Sequence, residues 1–160
     1  MNYLFVDKWA DFSDINDNSR GNVVNPIFLM YASVLNEYDK QVHYINANDN
    51  RLTKCKLAEF INNNKVKIII FLADIDNVNS ILRLDLTSLN NEIELVIFSI
   101  NENLMHFVKK ERTKFIMFDE RFSIENNFLI FLSTLNIISG IERIEKKSIN
   151  YSLGKGLYKQ

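Results

Sequence analysis

Cysteine and proline each occur once, and glycine four times, in 160 residues. With Cys55 as the only cysteine, an intramolecular disulfide is excluded, and neither a zinc cluster nor a three-cysteine iron–sulfur motif can be built from this chain alone. Glycine lets a backbone approach a phosphate or a flat ring closely, so its scarcity counts against a nucleotide-type cradle. No apolar run approaches the roughly 18 residues of a membrane-spanning helix. The opening residues Met1 to Asp7 carry neither a basic leader nor a small-residue cleavage site. A soluble, cytoplasmic protein is expected. Charge of either sign is also not in excess: 19 basic and 20 acidic side chains leave a net −1, and no global field favours nucleic acid or an anionic membrane. The one basic cluster, Lys109 to Lys114, falls where a predicted helix ends, and cations there offset the helix dipole.

What remains is a regular alternation. Strand-length apolar runs recur at Tyr3–Val6, Val42–Ile45, Lys67–Leu72, Glu94–Phe98 and Lys114–Phe118. Three are nearly continuous, as in strands covered on both faces. A helical pattern follows each. The first has Asn25 as N-cap, Pro26 at the first helical position, and a stripe of Ile27, Met30, Tyr31, Val34, Leu35 and Tyr38. The second runs from Thr53 to about Asn62 and buries Leu57, Phe60 and Ile61. The third starts near Asn77 with Val78, Ile81, Leu82 and Leu89 inward, and the fourth near Asn103 with Leu104, Phe107 and Val108. The fifth opens at Ser123 with Phe128, Leu129, Leu132 and Leu135. Asparagines crowd the connections, at 62–64, 90–91 and 126–127, where turns require the left-handed conformation that asparagine tolerates.

Five strand–helix units predict a three-layer α/β fold of the flavodoxin-like (Rossmann-like) type, with mostly parallel strands in the order 2-1-3-4-5. The module spans residues 1–137, and 138–160 reads as a C-terminal extension, linker or edge hairpin. Ligands of such sheets bind at the carboxyl ends of the strands, beside the switch point between strands one and three. That nominates the loop from Asp7 to Asn25 and the turn from Ala73 to Asn77.

The chain here resembles the N-terminal cobalamin-binding domain of the radical S-adenosylmethionine methyltransferase-like family. Asn25-Pro-Ile-Phe-Leu-Met-Tyr-Ala-Ser-Val-Leu35 is similar to that family's Pro-Pro-Leu-Gly-Leu-X-Tyr-Leu-Ala-X-Leu opening, and Val42-His-Tyr-Ile-Asn-Ala47 to a second strand ending in Asp-Ala. Ile68 to Val78 resembles a strand ending in Phe-Ser with a helix opening near Asn. Phe118 to Glu125 stands in the place of a Gly-Glu-Gly-Glu turn, and Ile138-Ser-Gly-Ile141 in that of an Ile-Pro-Gly-Ile exit segment. The resemblance implies a non-catalytic cobalamin-binding-like module, and cobalamin as the cofactor if one is held. It also implies a radical S-adenosylmethionine domain, in the same protein or as a partner, with this chain a fragment of a longer enzyme or a stand-alone relative. The departures point to a degenerate member. The family's glycines are absent: Phe28 stands at one such position, Ser99 to Asn101 at others, and larger side chains fill the space a corrin needs. Trp9 and Phe12 replace the decisive residues of the axial-histidine motif Asp-X-His-X-X-Gly.

If a small molecule binds, its contacts are expected from Asp7, Trp9, Asn25, Asp74, Asn77, Ser99 and Asn101, all at or just past strand carboxyl ends. The bland alternative has Asn25 and Asn77 capping helices while Trp9 and Phe28 close the cleft. Trp9 is either an exposed contact or tucked under its loop. Asp14 to Asn18 alternates oxygen ligands as calcium loops do, but Ser19 and Asn25 stand where glycine and a bidentate glutamate belong. A receiver-like phosphoacceptor reading fits Asp74 and Ser99, yet lacks an acidic pair after strand one and a lysine after strand five. His43, His106 and Cys55 fall on separate predicted elements, so no catalytic or metal group is assembled. The competing functional reading is a regulatory or protein-interaction domain of receiver-like fold without a cofactor.

Overall fold

The computed structural model describes residues 2–9, 25–38, 40–47, 53–84, 92–107 and 113–137. In chain order they form β1 (Asn2–Asp7), α1 (Pro26–Asn36), β2 (Gln41–Asn46), α2 (Lys54–Asn63), β3 (Val66–Leu72), α3 (Val78–Leu82), β4 (Glu94–Ser99), a 3₁₀ segment (Glu102–Phe107), β5 (Thr113–Met117) and α4 (Ile124–Thr134). The strands make one sheet in the order β2-β1-β3-β4-β5, the flavodoxin-like arrangement that the alternation implies. Pairing is parallel, with Asp7 opposite Asn46 on β2, Val6 opposite Phe71 on β3, and Leu72 opposite Phe98 on β4. The chain divides into two compact units, residues 1–115 and 116–160.

Within the first unit, strand alternation feeds two cores. Leu4, Val6, Ile69, Phe71 and Ile97 join Leu57 and Ile61 of α2 and Val78 and Ile81 of α3 on one face. On the other, Phe28 of α1 meets Phe5, Tyr44 and Phe98 with ring centroids 5.1, 5.7 and 5.5 Å apart, and Tyr31 meets Phe98 at 5.1 Å. Both sides of β1 and β3 are therefore buried, which is why those strands read as continuous apolar runs. No helix among the described residues is long and apolar enough to cross a membrane.

The helices depart from the sequence pattern in detail. The buried stripe of α1 is Phe28, Tyr31, Ala32 and Leu35, rotated from the expected one: Ile27, Met30 and Val34 are only half-buried, and Tyr38 lies past the helix end. The fourth helical pattern forms a six-residue 3₁₀ segment with Leu104 as its buried anchor, and α3 has only five residues. Asn126 and Asn127 lie inside α4 rather than in a turn. The left-handed residue after α2 is Lys65, at φ 52°, and none of the three asparagines before it. Lys114 lies in β5, bonded to Glu94 at 2.7 Å. Leu89, the remaining basic cluster (109–112), the calcium-loop motif and the extension 138–160 fall outside the described residues.

In the second unit, α4 starts from Ser123, whose Oγ accepts from the Asn126 N–H at 3.1 Å. The preceding turn closes on Asn127. Its side chain accepts from the Asp119 N–H at 2.8 Å and donates back to the Asp119 carbonyl at 2.8 Å. Arg121 forks onto the Asp119 carboxylate, with its shortest contact 2.6 Å, and this guanidinium holds the carboxyl below the usual range.

Candidate functional site

The carboxyl end of β1 places a full carboxylate in the interior. Asp7 is buried completely. Its Oδ2 accepts from the Tyr44 hydroxyl at 2.6 Å and from the backbone N–H of Asn25 at 3.0 Å, joining β1, β2 and the entrance to α1. Its Oδ1 is buried without a hydrogen-bond partner among the described residues. Burial raises the Tyr44 phenol above its ordinary pKa, and the hydrogen bond to the Asp7 carboxylate and its charge add to the rise. Asn25 completes this corner by capping α1: its Oδ1 accepts from the N–H groups of Ile27 and Phe28, each at 3.1 Å.

Trp9 turns to the opposite core. The intervening residue, Lys8, has φ 59°, and this left-handed step brings the indole against Phe71, edge-on at a centroid distance of 6.2 Å. At 3% exposure Trp9 is packed inside, so the exposed-contact reading fails. Its Nε1 is a buried donor without a partner among the described residues.

The remaining nominated residues fold the strand exits back on themselves. Asp74 Oδ1 accepts from the N–H groups of Asp76 (2.9 Å) and Asn77 (3.0 Å). Asn77 Oδ1 accepts from the Asp74 N–H at 2.8 Å, and its amide donates to the Leu72 carbonyl at 3.2 Å. Asn77 thus occupies the N-cap position of α3 without capping it through its side chain. It ties the loop to the end of β3 instead. After β4, the buried Ser99 Oγ accepts from the Asn101 N–H at 3.0 Å, and Asn101 Oδ1 from the Asn103 N–H at 3.0 Å. These are side-chain turns of the Asx and Ser type, and they use the polar atoms a ligand would need. Of the seven nominated residues, only Asp7 and Asn25 bond to each other across distant parts of the chain.

Apolar side chains stand outward on the same exits. Ile75 is 61% and Ile100 is 60% exposed, on loops leaving neighbouring strands whose ends are pinned by the Ala73 N–H to Phe98 carbonyl bond of 2.8 Å. Neither is visible in the sequence pattern, because a single apolar residue inside a polar turn carries no period. Tyr44 is equally hidden. Its signal is the alternation of β2, which sets Tyr44 two residues before Asn46, the neighbour of Asp7.

No group of three His, Cys, Asp or Glu side chains that could hold a metal exists among the described residues. Cys55 is exposed on the first turn of α2, and His43 lies edge-on to Phe60 at 5.3 Å. Phe28, which the resemblance would set at a first-helix glycine, is enclosed by Phe5, Tyr44 and Phe98, so the residues present fit a corrin poorly there. No family model matches the chain, and neither a curated protein nor a solved structure does.

Proposed function

We propose that this chain is a non-catalytic regulatory or protein-interaction module on a flavodoxin-like scaffold, acting through the carboxyl edge of the sheet without a cofactor. The observation that carries the reading is the pairing of exposed Ile75 and Ile100 with loops whose polar side chains are bonded to their own backbones. Such loops are held in one shape and present apolar side chains, which suits a docking surface better than a polar ligand cradle. The test is capture from host lysate by the wild type and by I75S/I100S, both verified as folded. Proteins retained by the wild type and lost from the double variant support the reading. A profile identical for the two proteins overturns it.

A second reading keeps the family resemblance, as a degenerate cobalamin-binding-like module associated with a radical S-adenosylmethionine domain. The Oδ1 of Asp7 favours it, because a buried acceptor at the switch point has no donor among the described residues. Titration with hydroxocobalamin, followed in the visible spectrum, decides: a saturable shift lost in Asp7→Asn supports cofactor binding, and an unchanged spectrum removes it.

A further inference from the structure

We draw no further inference here: the strongest candidate, the exposed apolar patch of Ile75 and Ile100 beside the carboxylates of Asp74, Asp76 and Glu102 at the carboxyl edge of the sheet, belongs to the docking surface already described, and nothing in the structure shows what covers it.

Discussion

A carboxylate taken from water must recover its hydration from protein donors, and Asp7 recovers part of it. Among the described residues one oxygen has two donors, the other none. Hydrogen bonds to a charged group contribute about 1.5–3 kcal/mol each, and removing one partner leaves the charge less satisfied. Tyr44→Phe keeps the ring against Phe28 and deletes only the hydroxyl. It is expected to lower the unfolding free energy by about 2 kcal/mol at neutral pH, read from urea or guanidinium midpoints. The same variant changes the alkaline limb. The folded-state pKa of Tyr44 lies above its unfolded value, so the native state holds that proton more tightly. The resulting stability is complete below about pH 10, where both states are protonated, and drains away as pH climbs beyond it toward the folded-state value. Tyr3, raised by burial and by Glu94, acts in the same sense, so the measured quantity is the difference between wild type and variant. A shallower loss above pH 10 in Tyr44→Phe is expected, and parallel curves contradict it.

At the scale of elements, helix ends carry stability that packing does not. The C-terminus of α4 closes with the Ile137 N–H on the Leu132 carbonyl at 2.9 Å and the Asn136 N–H on the Ser133 carbonyl at 3.0 Å, with Asn136 at φ 58°. This is a Schellman closure, and asparagine suits its left-handed position. The end of α2 uses a lysine for the same step, at φ 52°, where a Cβ costs about 1–2 kcal/mol. Lys65 is exposed, so Lys65→Gly is expected to stabilise the protein by about 0.5–1 kcal/mol after glycine's entropy in the unfolded chain is subtracted. A lower denaturation midpoint contradicts the assignment. This end also shows what a sequence pattern reveals and what it does not. Asn25 with Pro26, Thr53 and Ser123 mark the starts of α1, α2 and α4, because caps are local chemistry between residues two or three apart. The run Asn62 to Asn64 points to the stop of α2, yet the left-handed step falls on Lys65, because tertiary packing of Leu57 and Ile61 sets where the turn ends. The roles of Asn77 and Asn127 are hidden for the same reason: each bonds to a strand exit whose position only the fold supplies. Asp7 and Asn25 are legible from their place on the sheet, while Tyr44 needs the register of β2 against β1.

Across the whole first unit, β1 and β3 separate two cores that share strands but not side-chain partners. Ile69 belongs to the cluster with α2 and α3, and Ile70 stands beside Phe5 on the side of α1. Both are fully buried, so removing one methyl group from either is felt. Ile→Val costs about 1 kcal/mol in such a site, from lost transfer energy and from the cavity left behind. Substitutions without shared partners add within about 0.3–0.5 kcal/mol, whereas neighbours in one packed cluster couple more strongly. Ile69 and Ile70 are adjacent in sequence, yet their side chains point to opposite faces of the sheet. Ile69→Val and Ile70→Val are therefore expected to be additive, the double variant losing about 2 kcal/mol, the sum of the singles. Ile69→Val with Val78→Ala, two changes inside one core, is the contrasting pair and is expected to deviate from the sum. If instead Ile69→Val and Ile70→Val couple by more than about 0.5 kcal/mol in denaturant titrations, the backbone of β3 carries strain between the faces and the cores are not independent.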